Sequence, residues 1–119
     1  TIQDYEKQRE LLPPDSDISP ALAHIRSNFH REVSIPELAR RCGLSVRQFE
    51  RKFKGHLKTP PQQYLVKMRV HAACDELRRT RKPIAEIATD LGFYDQAAFT
   101  RQFRKHMGMT PLHYRKEYR

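Results

Sequence analysis

The stretch QFERKFK, Gln48 to Lys54, returns fifty residues later as AFTRQFR, Ala98 to Arg104. Each copy has a phenylalanine at its second and sixth positions, an arginine midway between them and a cation at the end. Phe49, Phe53 and Leu57 stand at i, i+4 and i+8, as do Phe99, Phe103 and Met107, so each set predicts the buried face of a helix. At about 100° per residue, Arg47, Arg51, Lys54 and Lys58 form a stripe across from Phe53, flanked by Gln48 and Glu50. In the second copy Ala97, Arg101 and Arg104 hold that place, with Gln96 and Thr100 beside them and Lys105 following. A stripe of charge is usually only a solvated face. Here it is nearly all positive, it occurs twice, and each copy follows a short helix and a glycine.

Outward from these stretches the duplication continues. Ile35, Glu37, Leu38, Ala39 and Gly43 match Ile84, Glu86, Ile87, Ala88 and Gly92 at an offset of 49. Ser45, His56, Pro61 and Tyr64 match Asp95, His106, Pro111 and Tyr114 at an offset of 50, so the second turn is one residue longer. This is an internal repeat of about three helices. Ser34-Ile-Pro-Glu37 predicts a capping box, with proline in the first turn, and Gly43 ends that short helix. Ser45 with Gln48 predicts a second box, opening a helix that runs to about His56. Ala39 and Ala88 lie four residues before their glycines, where a small side chain lets two helices approach. A short helix, a glycine turn and a second helix with an apolar back is the helix-turn-helix plan. The second helix of such a pair can enter a major groove. There Arg can bind guanine bidentately, Gln can pair with adenine and Glu can accept from cytosine. Lys54, Lys58, Arg104 and Lys105 lie later on the two helices and suit phosphates.

The remaining chain reads as helix with little interruption. Ile18, Leu22, Ile25 and Phe29 predict one apolar stripe on a first helix. Thr59-Pro60 predicts a long helix to Arg79 with Tyr64, Leu65, Met68, Ala72, Ala73 and Leu77 on its inner face. TIQDYEKQRELL could form a short helix before Pro13-Pro14 breaks it, and residues 1–17 read as a linker. The expected organisation is all-α: a first subdomain over 18–58, a linker helix over 59–80 and a second subdomain over 81–119.

Bulk properties agree with a nucleic-acid partner. The 119 residues carry a net charge of +9 and a pI near 9.9, which makes a polyanion the first expected ligand. No apolar run approaches the length of a membrane span. Cys42 and Cys74 fit no metal spacing and read as reduced, helix-packed thiols of an intracellular protein. The six histidines form no metal-binding pair, and no nucleophile motif or phosphate loop is present, so neither a cofactor nor an enzymatic activity is expected. His56 and His106, equivalent by repeat, predict a shared structural role near a helix end. The chain begins at Thr1 without methionine, as a fragment or processed form would.

With these residues in view, the chain resembles the DNA-binding domain of the AraC/XylS family of bacterial transcription regulators over roughly residues 18–119. PIAEIATDLGFYDQAAFTRQFRKHMGMTPLHYR is similar to that family's C-terminal signature, and SIPELARRCGLSVRQFERKFKGHLKTPPQQYL to its partner motif. The resemblance implies seven helices: two helix-turn-helix units joined by a long helix. It implies base contacts from Arg47, Glu50 and Arg51 in one unit and from Gln96, Ala97, Thr100 and Arg101 in the other, and a structural role for Arg69. It also implies promoter DNA and RNA polymerase as partners, a cytoplasmic, nucleoid-associated location, and a missing N-terminal domain that would bind any effector. Three positions depart from the pattern. Lys58 stands where the family commonly has glycine, Pro83 replaces the cap that Ser34 provides, and Ala97 could offer only apolar contact to a thymine methyl. Two units on a stiff helix would read successive major grooves about 34–36 Å apart. The alternative reading is a basic helical docking module for acidic partners in the transcription machinery.

Overall fold

A computed structural model describes residues 16–119. The helix expected in TIQDYEKQRELL, and all but the last two residues of the expected linker, lie outside the described residues. Among the described residues the chain forms seven helices and no strand: α1 (Ser19–Asn28), α2 (Ile35–Arg41), α3 (Val46–Leu57), α4 (Pro61–Arg79), α5 (Ile84–Asp90), α6 (Gln96–Met107) and α7 (Pro111–Tyr118). Packing divides the chain inside α4: residues up to Leu65 belong to an N-terminal unit and those from Val66 onward to a C-terminal one. The first turn of the long helix is therefore built into one core and the rest into the other.

In the N-terminal unit, Ile18, Leu22 and Ile25 are buried as the spacing of α1 requires. Phe29, expected to continue that stripe, falls just past the helix end and is only half-buried. The Asn28 amide donates to the His24 carbonyl at 3.0 Å and closes the last turn. Helix α2 begins at Ser34, whose hydroxyl oxygen accepts from the Glu37 N–H at 3.4 Å. The expected reciprocal bond is missing. The Glu37 carboxylate turns to Arg40 and Arg41 instead, and the Arg40 guanidinium holds its carboxyl below the usual range. Two cations within a turn outcompete one backbone N–H for a carboxylate.

The aromatic residues of the repeat build equivalent cores. Phe53 lies 5.6 Å from Phe49 and 5.4 Å from Tyr64, ring centre to ring centre. Phe103 lies 5.6 Å from Phe99 and 5.5 Å from Tyr114. All four phenylalanines are fully buried, and each row ties the second helix of its unit to the helix that follows. Ala39 and Ala88 are buried where the two helices of each pair meet. Met107 is half-buried whereas its counterpart Leu57 is buried, so the second core is more open at that end. On α4, Tyr64, Leu65, Met68, Ala73 and Leu77 face inward as expected. Ala72 is only half-buried, and Val70 and Cys74 are buried although the expected face omitted them.

Candidate nucleic-acid interface

The two turns preceding α3 and α6 are hydrogen-bonded alike. The Leu44 N–H donates to the Ala39 carbonyl at 3.0 Å, and the Phe93 N–H to the Ala88 carbonyl at 3.0 Å. Gly43 and Gly92 adopt φ of +67° and +90°, a region that favours glycine. Four residues separate α2 from α3 and five separate α5 from α6, which accounts for the change of offset. Phe93 packs on Phe99 at 5.0 Å, and the next residue, Tyr94, is 94% exposed.

Each turn delivers the chain to a capped helix start. At α3 the box is complete: the Gln48 N–H donates to Ser45 Oγ at 3.1 Å, and the Ser45 N–H donates to Gln48 Oε1 at 3.1 Å. The Gln48 carbonyl oxygen, one of the groups expected to read bases, is therefore held in the cap. At α6 an Asp95 carboxylate oxygen accepts from the Ala98 N–H at 2.7 Å. The α5 start, with Pro83 in the cap position, has no side-chain cap, in keeping with the departure noted in the sequence.

The outward faces of α3 and α6 hold the expected site residues together. Arg47, Glu50, Arg51 and Lys54 are exposed on α3, as are Gln96, Ala97, Arg101, Arg104 and Lys105 on α6. Thr100 is half-buried. Several other cations have acidic partners: Arg40 and Arg41 with Glu37, Lys52 with Asp17, Arg78 with Asp75, Lys82 with Glu76 and Asp90. Among the described residues no ion pair engages Arg47, Arg51, Lys54, Arg101, Arg104 or Lys105. Among the described residues these cations have no acidic partner, a property that spacing alone could not reveal. It is the arrangement a polyanion requires.

Lys58, expected at a phosphate, stands at a helix end. It closes α3 in a left-handed conformation, φ +60°, and its N–H donates to the Lys54 carbonyl at 2.8 Å. Its Nζ donates to the Gly55 carbonyl at 3.0 Å, so the ammonium sits over the helix C-terminus. Gly108 occupies the same place after α6, φ +76°. The glycine-like turn is thus kept by a lysine, with its side chain returned to the last turn.

Other singled-out residues fall away from these faces. Arg69 is half-buried on α4, and burial lowers the proton affinity of its guanidinium. His56 is exposed whereas His106 is half-buried with its pKa lowered, so the repeat does not give them one shared environment. Cys42 and Cys74 are free thiols, both pushed up by burial and so poorly nucleophilic. No described helix is long and apolar enough to cross a membrane.

Comparison with known proteins places this geometry among others. The helix-turn-helix domain family profile matches residues 38–117. The regulatory protein SoxS of Escherichia coli K12 is 33% identical over 98 residues, 82% of this chain and 92% of SoxS. The chain spans about a third of the length of several longer curated relatives. An AraC-type transcriptional regulator structure from Chromobacterium violaceum superposes with a TM-score of 0.79 at 30% identity, over 86% of this chain and 91% of that one. The DNA-binding domain of AdpA, solved in complex with a target DNA, gives 0.81 at 28% identity over 88% and 95%.

Proposed function

The chain belongs to the AraC-type helix-turn-helix family, and from that footing we propose that it binds double-stranded DNA sequence-specifically as the DNA-binding part of a transcription regulator. The observation that carries this reading is the pair of outward faces on α3 and α6. Each is basic, free of ion pairs among the described residues, and mounted on the second helix of a duplicated helix-turn-helix. The AdpA neighbour was solved on its target DNA, which supports the same use of the fold here.

Roles divide by position along each helix. Residues in the first two turns reach base edges, while later cations meet the strands that border the groove. Arg47, Glu50 and Arg51 read one half of the site; Gln96, Ala97, Thr100 and Arg101 read the other. An arginine can hold guanine bidentately, Glu50 can accept from cytosine N4, and Ala97 can pack on a thymine methyl. Gln48 keeps only its amide N–H groups for this purpose, because its oxygen is bound to Ser45. Lys54, Arg104 and Lys105 neutralise phosphates. Lys58 adds charge near the strand while it caps α3.

Selection of bound duplexes from a random pool tests this directly. The expected product is a site with two preferred blocks about one helical turn, roughly 34–36 Å, apart. A chain that retards no duplex in the presence of excess non-specific competitor would overturn the proposal and favour a protein-docking role.

A further inference from the structure

We infer that Tyr94 is a DNA-backbone contact belonging to the second helix-turn-helix alone, with its ring on a deoxyribose and its hydroxyl donating to a phosphate beside the groove that α6 enters. The inference rests on the DNA-binding reading above and adds a residue to it. Single exposed apolar side chains are ordinary on protein surfaces; the placement of this one is not. Tyr94 is 94% exposed, and it is the extra residue of the turn that makes the second unit one position longer than the first. The residue before it, Phe93, is buried on Phe99 and anchors the turn to the core. Its counterpart in the first unit, Leu44, is half-buried and is followed directly by the cap residue Ser45. The first unit therefore has nothing at the position of Tyr94.

Tyr94 lies two residues before Gln96, the first residue of α6, and one before the cap Asp95. When the N-terminal residues of a recognition helix are at base edges, the residues ahead of its cap stand at the rim of the groove, along the sugar–phosphate strand. Tyrosine is suited to that rim. Its ring covers an apolar sugar with few rotatable bonds to order, and its hydroxyl is a phosphate donor. The neighbouring Asp95 carboxylate keeps its charge, but the Ala98 N–H holds one of its oxygens at the α6 start, where the positive end of the helix dipole faces it.

The test is an anisotropy titration of the 119-residue chain and its Tyr94→Phe, Tyr94→Ala and Arg101→Ala variants. The duplexes are the tightest one recovered from the random pool and its single-base-pair variants. Thermal melting should leave both Tyr94 variants unchanged, since the side chain packs on no core. Tyr94→Phe should weaken binding about threefold, the scale of one net hydrogen bond, and Tyr94→Ala about tenfold, because the covering contact is lost as well, each by the same factor on every duplex. Tyr94→Ala binding within about twofold of the parent while Arg101→Ala loses affinity would overturn this inference alone. A Tyr94→Ala loss that disappears when one particular base pair is changed would also overturn it, because the ring would then be reading that base. A parent chain that binds no duplex would remove the DNA-binding reading and this inference together.

Discussion

The Arg115 guanidinium Nε donates to the Leu77 carbonyl at 3.1 Å, across 38 residues of sequence, and its Nη2 reaches the Thr80 carbonyl at 3.4 Å. The last helix thereby closes the C-terminus of α4, whose final carbonyls have no partner within the helix. A cation there also complements the negative end of the helix dipole. Burial lowers the Arg115 proton affinity without coming near removing its charge at neutral pH.

Arg115→Ala should therefore cost about 1–3 kcal/mol of stability, the range for hydrogen bonds from a charged group that leave acceptors unmet. Urea unfolding followed by helical circular dichroism reads this out. Arg115→Lys should recover part of the loss, because one ammonium can still meet one carbonyl. An alanine variant as stable as the parent would reduce the contact to a surface one.

Lys58 and Gly108 occupy equivalent left-handed caps, so exchange should have opposite signs at the two sites. Lys58→Gly should stabilise the chain by up to about 1 kcal/mol through relief of the left-handed backbone, partly offset by loss of the Nζ bond to Gly55. Gly108→Ala should destabilise by about 1 kcal/mol. A Cβ at Gly108 meets no atom within 4 Å, so that cost would be backbone strain alone. Denaturation midpoints of the two variants decide it: changes of the same sign would contradict the equivalence.

His106 should make stability depend on pH. Burial, with help from Lys67 and Lys105, lowers its pKa from the ordinary 6.5. Between the lowered folded value and 6.5 the unfolded chain binds the proton and the folded chain does not, so stability rises with pH there. The contribution is complete above 6.5 and is lost as pH falls through the folded value. His106→Gln should flatten the melting temperature against pH below neutrality, whereas an unchanged slope would assign the dependence to other groups.

Binding measurements should separate the two classes of cation. Arg51→Ala and Arg101→Ala should each lose about 1–3 kcal/mol on the selected site and relax preference at one base pair. Lys54→Ala should weaken all duplexes alike and reduce the salt slope by about one. Equal losses on every sequence for the arginines would make them phosphate contacts instead.

Much of this protein was determined by local sequence. Helical spacing of Phe49, Phe53, Phe99 and Phe103, the caps at Ser45 and Asp95, and the turn glycines are relations within a few residues. They therefore specified the two units, their recognition helices and the outward arginines before any packing was known. Tertiary structure decided what depends on partners distant in sequence or on competition among near ones. Arg115 meets Leu77 and Lys52 meets Asp17 only because the chain folds back. Glu37 prefers two arginines to its own cap, and Lys58 turns inward to Gly55. Periodicity assigns a side chain to a face but cannot say which of several donors and charges will satisfy it. That choice follows from distance and desolvation in the folded chain, and it left Arg47, Arg51, Lys54, Arg101, Arg104 and Lys105 without acidic partners among the described residues, and Tyr94 in solvent.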